Sequence, residues 1–351
     1  MVHVTFPPME SSLIGSWVFP TGALSIFVAP PRSRRFPRGV SAGPSNAALV
    51  AGLLFAVFLW GGNNAAVGFL VRDWPPFWIG CSRVAGVGLL MLALLRWTPW
   101  LGATHALDAV LRRALWWRGG LPLAVYVVIF TVSLQFTTVA HAAVYLGASP
   151  VWVLLMEGKP ERNPASLKRY CAAALALAGV VILFWPKLHG LEAQAGGNRW
   201  LGDVLGFAAS WLWAVYSKLC RGFGTSLSGA EITAHTMWRA AVLLTPFAAL
   251  ELTTRKLPWR WDLVSAQAYC IVFGGLVAFG IWHSALRRWP TSRVFLFNNL
   301  IPLSTMAWAW ALLDQPPTET FWLAMALVAA GVLLGHASYR KPAAQGGLPA
   351  E

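Results

Sequence analysis

The chain has 351 residues, of which 57% are hydrophobic and only 11% charged, and a formal net charge of +14. A soluble domain carries roughly 25% charged residues, so the composition argues against a water-soluble enzyme or regulatory domain. The positive charge is scattered over short connections with no stripe or nucleic-acid motif; that sets nucleic acid aside and leaves anionic membrane lipids as its partner.

In chain order, residues 1–45 make a poor domain. The run from Leu13 to Ala29 is apolar but is interrupted by Pro20 and ended by Pro30-Pro31. No basic residue precedes it, so it lacks the charged start of a secretory signal. We expect a loosely ordered cytoplasmic extension here, with contact between residues 11–30 and the membrane left open.

Apolar stretches then follow at 46–70, 75–97, 119–138, 140–157, 166–186, 200–219, 231–250, 266–287, 291–313 and 318–339. Each is near the roughly 20 residues needed to cross bilayer hydrocarbon. Pro75-Pro76 suits a helix start, where the first amides have no internal partner. Residues Leu107 to Trp117 read as a separate amphipathic surface helix, with Arg112, Arg113 and Arg118 in reach of headgroups. Many of the 21 Trp lie near predicted ends, among them Trp74, Trp97, Trp117, Trp200, Trp259, Trp261 and Trp289, as amphipathic rings do at the headgroup level. Cys81, Cys171, Cys220 and Cys270 have no metal-ligand spacing and read as small buried hydrophobes.

Charge sets orientation. With the N-terminus inside, nineteen of the 27 Lys and Arg fall on cytoplasmic connections and six outside; the other two, Arg83 and Arg239, lie within spans. That bias predicts both termini in the cytoplasm and an even number of spans. The halves also resemble each other. An offset of 152 sets Pro150 on Pro302 and places Ala174, Leu175, Ala178, Gly179 and Val180 on Ala326, Leu327, Ala330, Gly331 and Val332. Slightly larger offsets set Trp60 against Trp213 and Arg83 against Arg239. The expected fold is an all-α polytopic membrane protein of ten transmembrane helices in two inverted five-helix repeats. The repeats would cover 46–186 and 200–339, followed by a cytoplasmic tail at 340–351.

The segments "LFAVFLWGGNNAAVGFL", "PPFWIGCSRVAGVGLLMLALL", "TTVAHAAVYLGASPVWVLL" and "AALALAGVVILF" follow one another in the first half. The second half opens with "GDVLGFAASWLWAVYSKLCR" and closes with "SRVFLFNNLIPLSTMAWAWALL" and "ALVAAGVLLG". In order and spacing these resemble the drug/metabolite transporter superfamily, in particular its members built from two EamA-type domains. The resemblance covers about 46–339 and implies ten helices with both termini inside. It also implies alternating-access movement of small organic solutes, with export the favoured direction, at the inner (plasma) membrane. The acidic residue usual after the ninth helix is replaced here by Gln315, beside Asp314.

The candidate substrate-binding residues are Arg83, Arg239, Asn63, Asn64, Asn298, Asn299, Tyr216, Trp213, Gln135 and His283. An arginine well inside hydrocarbon is costly unless it faces a cavity or a paired group, and its fork suits a carboxylate. The Asn pairs could hold amino or carboxyl groups, or could equally be interhelical glue. Gly61-Gly62 permit close helix approach. Tyr216, Gln135 and His283 are polar groups within spans, and Trp213 could stack on an apolar solute; His141 and Tyr145 join this second rank. His283 titrates near neutral pH in its free form and is a candidate proton carrier. Pro150 and Pro302 each remove a backbone donor and are the candidate gating positions.

No cofactor is implied: no metal-spaced cluster, no nucleophile with its base and no phosphate loop occurs, so no enzymatic activity is expected. The function expected is secondary transport of a small organic solute such as an amino acid. A lipid or lipid-linked sugar flippase and a non-transporting membrane scaffold stay open as alternatives, as does a homodimer.

Overall fold

A backbone in hydrocarbon must satisfy its own polar groups, and the described residues are accordingly helical, without strands. The computed structural model describes residues 45–101, 104–137, 142, 145–147, 149–157, 163–190, 199–313 and 319–338, all within the unit Ala42–Glu351. The expected N-terminal extension (apart from Ser45), the tail at 340–351, His141, Asp314 and Gln315 lie outside the described residues.

Helix α1 (Asn46–Leu70) is capped by the Ser45 hydroxyl, which accepts from the Ala48 amide. Helix α2 (Pro76–Trp97) starts on the Pro75-Pro76 pair, as expected. Helix α3 runs without a break over Ala109–Phe136. The separate surface helix expected at 107–117 is thus the first part of α3, joined to the rest through a π-helical stretch, Leu115–Gly120. The cause is local: Pro122 brings no N–H to the ladder, and the wide π turn just before it absorbs the missing bond instead of ending the helix.

Then follow α4 (Ser149–Glu157), α5 (Pro164–Gly190), α6 (Arg199–Phe223) and α7 (Gly229–Thr254), the last opened by a Ser228/Glu231 capping box. Helix α8 (Trp261–Leu286) contains a second π-helical stretch, Cys270–Val277. Helix α9 is broken into Thr291–Phe295, a 3-10 stretch Leu296–Leu300, and Ile301–Leu313. Helix α10 is Glu319–Ala337. Among the described residues α1, α2, α3 and α8 are long and apolar enough to cross a membrane. Pro302 stands second in its α segment, directly after the 3-10 stretch, and Pro150 lies in α4, two residues past position 148, which is outside the described residues.

Hydrogen bonds tie the helix ends into two faces. On the arginine-rich face the Glu157 carboxylate accepts from the Ser292 amide (2.9 Å), Arg287 donates to Gly224 O (3.1 Å), and the Trp289 indole donates to Asn46 (3.3 Å). Also here His105, from the α2–α3 connection, pairs with the buried Glu231 carboxylate at 2.8 Å. On the opposite face Trp74 donates to Pro258 O (2.8 Å), and Arg260 bridges Asp262 and Asp73. The Arg260 hydrogen bond holds the exposed Asp262 carboxyl below the usual carboxylate range. Trp97, Trp117, Trp200, Trp259 and Trp261 are exposed near helix ends, whereas Trp74 and Trp289 turn inward to the partners just named.

Small residues set how close the helices come. A Cβ on Gly61 of α1 would stand 2.6 Å from Ser304 Cβ of α9, and the Ser304 hydroxyl and Trp308 indole both donate to Phe58 O at 2.9 Å. Gly61→Val is therefore expected to force α1 and α9 apart and cost about 1–3 kcal/mol. Thermal unfolding in detergent reads this as a lowered midpoint; an unchanged midpoint would show that the contact is not tight. Helices α5 and α10 meet the same way. Gly179 faces Ala324 and Val328, and Gly331 faces Ala172 and Ala176.

Candidate functional site

The apolar core has two main parts. One, on the arginine-rich side, gathers Leu53, Trp60, Trp213, Tyr216, Trp282 and Phe295 with their neighbours. The other, toward the opposite face, gathers Val67, Leu70, Ile79, Phe130, Leu146 and Leu263. Between them lies a cavity of about 40 Å³, room for roughly three waters. Its polar lining is Asn63 and Asn64 of α1, Arg83 of α2, Tyr126 of α3, Trp213 of α6 and Asn298 of α9, with Trp60, Phe279 and the Gly274-Gly275 pair completing the wall.

Local sequence explains how these side chains come together. Gly274 and Gly275 lie in the π stretch of α8, the kind of bulge that often marks functional sites. The Gly274 carbonyl accepts from the Trp60 indole at 2.8 Å, and a Cβ on Gly274 would stand 2.8 Å from Asn63 Cγ. The missing side chain is what admits the Asn63 amide. Asn63 Oδ1 is buried and has no hydrogen-bond partner. Across the cavity Asn298 donates to Leu146 O (3.0 Å) and accepts from the Trp213 indole (3.3 Å). This pair ties α9 to α6 and to the segment before α4.

Arg83 is the chemically distinctive member. It is 9% exposed, lines the cavity, and makes no hydrogen bond or ion pair among the described residues. It acts electrostatically on Tyr126 and Cys270. No Asp or Glu lines the cavity. An unneutralised guanidinium in such surroundings is costly to the fold, and an anionic guest repays that cost.

The structure brings Asn63, Asn64, Arg83, Trp213 and Asn298 into this cavity but does not bring Arg239, Asn299, Tyr216, Gln135 or His283 to its lining. Arg239, the counterpart of Arg83 in the second half, is stacked on Trp238 (4.3 Å) and lies 5.5 Å from the ring of Trp116, with its Nη1 donating to His235 O. The aromatic clamp decides the difference, since the position matching Trp238 is Ser82. Gln135 is exposed on α3, and the Asn299 amide donates to Leu296 O within its own 3-10 stretch at 3.4 Å. Tyr216 and His283 bond each other below the cavity.

Arg239→Met is expected to cost about 1–3 kcal/mol, from ring contacts worth roughly 0.5–2 kcal/mol each. Solute affinity should barely change. A thermal midpoint and a transport KM measured on the same preparation check both halves of that expectation.

Four wall residues escaped sequence reasoning. Tyr126 was legible in principle as a phenol within an apolar run. Gly274-Gly275 were legible as a match to Gly119-Gly120, which end the π stretch within α3. Phe279 carried no signal among 19 Phe.

The profile of the EamA-like transporter family matches residues 47–185 and 200–335. An "Uncharacterized transporter" of Archaeoglobus fulgidus is 24% identical over 283 residues, spanning 80% of this chain and 95% of the relative. A "Probable amino-acid metabolite efflux pump" of Escherichia coli is 24% identical over 175 residues, 48% of this chain and 57% of that pump. A solved crystal structure superposes with a TM-score of 0.65 at 20% identity, over 84% of this chain and 98% of its own, a likeness of fold alone. The family match and the names of these relatives make this multi-pass helical membrane protein a transporter rather than an enzyme, and the chain belongs to the EamA-like transporter family.

Proposed function

We propose that the protein exports small organic metabolites bearing a carboxylate, amino acids among them, across the inner membrane by alternating access between two inverted five-helix repeats. The observation that carries this reading is the buried, unpaired Arg83 guanidinium lining a cavity without a carboxylate. A carboxylate is the planar partner its fork fits in two parallel hydrogen bonds. The unpartnered Asn63 Oδ1 offers an acceptor for an ammonium group, and Trp60, Trp213 and Phe279 offer an apolar wall. Relatives named as amino-acid metabolite efflux pumps favour export.

Packing supports the repeat organisation. At the offset of 152, Ala172, Ala176 and Gly179 of α5 correspond to Ala324, Val328 and Gly331 of α10. The contact of Gly179 with Ala324 is thus mirrored by that of Gly331 with Ala172. The packing of α1 on α9 is matched by that of α6 on α4, and α3 on α6 by α8 on α1. Such reciprocity is what a pseudo-two-fold axis produces. Pro150 and Pro302 occupy corresponding places and are the bending points in this scheme, with the 3-10 stretch before Pro302 the easiest part of α9 to rewind. The arginine-rich face is the cytoplasmic one by the positive-inside rule.

The test is counterflow: proteoliposomes preloaded with unlabelled amino acid take up radiolabelled L-leucine, L-phenylalanine or L-threonine against empty-vesicle controls. Exchange of at least one supports the reading. No exchange across the panel, together with scrambling of labelled phospholipid, would replace it with a flippase.

A further inference from the structure

One helical turn below the cavity, on its arginine-rich side, lies a closed polar cluster that solute binding does not use. Tyr216 follows Trp213 by one turn on α6, Thr233 precedes Met237 by one turn on α7, and His283 follows Phe279 by one turn on α8; Trp213, Met237 and Phe279 all line the cavity. Tyr216, Thr233, Thr236 and His283 are each 0% exposed. The imidazole is held at both nitrogens: Nδ1 lies 2.8 Å from Thr233 Oγ1, and Nε2 lies 3.1 Å from the Tyr216 hydroxyl. Above and beside this cluster, Trp213, Trp282 and Phe295 pack ring on ring at 5.2–6.1 Å and close the floor.

The donors can be assigned. Thr233 donates its proton to Gly229 O at 2.9 Å, so toward His283 it can only accept, and Nδ1 must carry the hydrogen. Nε2 is then the acceptor and takes the Tyr216 O–H. Thr236 Oγ1 also lies 2.8 Å from Ile232 O. With a neutral imidazole the 3.0 Å contact between the Tyr216 and Thr236 oxygens takes its proton from Thr236, which then gives up its bond to Ile232 O. A second proton on Nε2 reverses the Tyr216 bond, so that Nε2–H donates to Tyr216 and Tyr216 donates to Thr236 Oγ1, 3.0 Å away. Hydrogen bonding survives that reversal, but a positive charge now sits in a dry interior.

No anion is at hand to neutralise it. Helix α6 contributes Tyr216 and Cys220, and α7 contributes Glu231, His235 and Arg239. Of these, the buried Glu231 carboxylate is already engaged with His105 and Ser228. Residues 46–60 of α1 include no titratable side chain. From α9 comes Arg293, turned onto the Trp289 ring at 3.8 Å. Across the cavity stand Arg83 of α2 and Tyr126 of α3. A buried charge without a partner favours whichever conformation lets water in.

We infer that His283 is the proton-binding site that couples transport to a proton gradient: the floor over Tyr216, Thr233 and His283 closes on the neutral imidazole and opens toward the arginine-rich face when Nε2 is protonated. The inference rests on the transport reading above. In export, a proton entering the cavity from outside binds Nε2, the floor opens inward, the proton leaves to the cytoplasm as solute enters, and the neutral cluster closes again. One proton moves in for each solute moved out: an O–H bond of hydronium breaks as the N–H bond forms, and the reverse happens on release.

Two measurements test it. The first needs no substrate: with Cys81, Cys171 and Cys270 replaced by Ala, the buried Cys220 beside Tyr216 reports floor opening through its alkylation by N-ethylmaleimide, normalised to thiolate content. The normalised rate should rise by up to about tenfold per pH unit, the limit for one proton, as pH falls below the ordinary imidazole range, from about 6.5 to about 4.5. It should be flat in His283→Gln. The second compares counterflow with pH-gradient-driven accumulation of labelled L-leucine, L-phenylalanine and L-threonine. Wild type should show both, and His283→Gln only counterflow. Tyr216→Phe keeps the imidazole and should retain gradient-driven accumulation with a shifted pH profile, which covers the case of a Gln variant that fails to fold. Gradient-driven accumulation persisting in His283→Gln, or an alkylation rate independent of pH in wild type, would overturn the inference. Absence of counterflow in wild type would instead remove the transport reading beneath it.

Discussion

Arg83→Met should leave a protein that inserts and folds at least as well as wild type yet hardly transports. The two effects have one cause. The guanidinium is buried without a partner, so its desolvation is uncompensated in the empty protein, and an apolar side chain of similar length relieves it. Replacing buried charge with apolar volume is commonly neutral or stabilising by about 1–4 kcal/mol. With a carboxylate bound, the same guanidinium forms a buried, charge-assisted pair, and its removal costs about 3 kcal/mol, or on the order of 100-fold in apparent affinity. Arg83→Lys should recover part of the affinity, since an ammonium keeps the charge but not the fork. A raised or equal thermal midpoint combined with lost counterflow is the expected pair of readings. A lowered midpoint would mean that Arg83 is structural and that its partner lies among residues outside those described.

Trp282→Ala should have the largest effect on stability of any single change. The ring is fully buried and packs within 5.0–5.4 Å of Trp60, Trp213 and Phe295, and its indole nitrogen donates to Ser217 at 3.3 Å. Truncating a buried Trp costs about 3–5 kcal/mol, because the surrounding rings relax only partly into the space. The cavity floor is thinned by the same change, so downhill leak of solute from loaded proteoliposomes should rise even as the midpoint falls. Trp282→Phe, which keeps a ring in the stack, should show a smaller fall and little leak. Equal leak in Trp282→Ala and wild type would place the floor elsewhere.

Much of the fold was legible because hydrocarbon leaves the backbone few choices. The runs beginning at Asn46, Pro76, Arg199 and Gly229 end within a few residues of their predicted limits. The surface helix was misread because Arg112, Arg113 and Arg118 looked like a headgroup-facing unit, and periodicity alone does not announce a π turn. Within the site, an arginine inside an apolar run pointed to a cavity, and for Arg83 the structure puts one there. The same logic did not separate Arg83 from Arg239. What separates them is the aromatic clamp on Arg239: Trp238 stands beside it where Arg83 has Ser82, and Trp116, on another helix and far earlier in the chain, adds a contact that no local pattern encodes. His283 and Tyr216 are a similar case: each reads as a polar group in search of a partner, and only the fold shows that they found each other.

The most direct measurement compares a carboxylate with its neutral analogue in the wild-type protein. In proteoliposome counterflow, labelled L-leucine, L-phenylalanine and L-threonine are set against unlabelled competitor as free acid or as carboxamide. If the Arg83 guanidinium receives the solute, the free acids compete and the carboxamides compete on the order of 100-fold less well. Equal competition by acid and carboxamide would contradict an anion-receiving cavity, and with it the role given to Arg83.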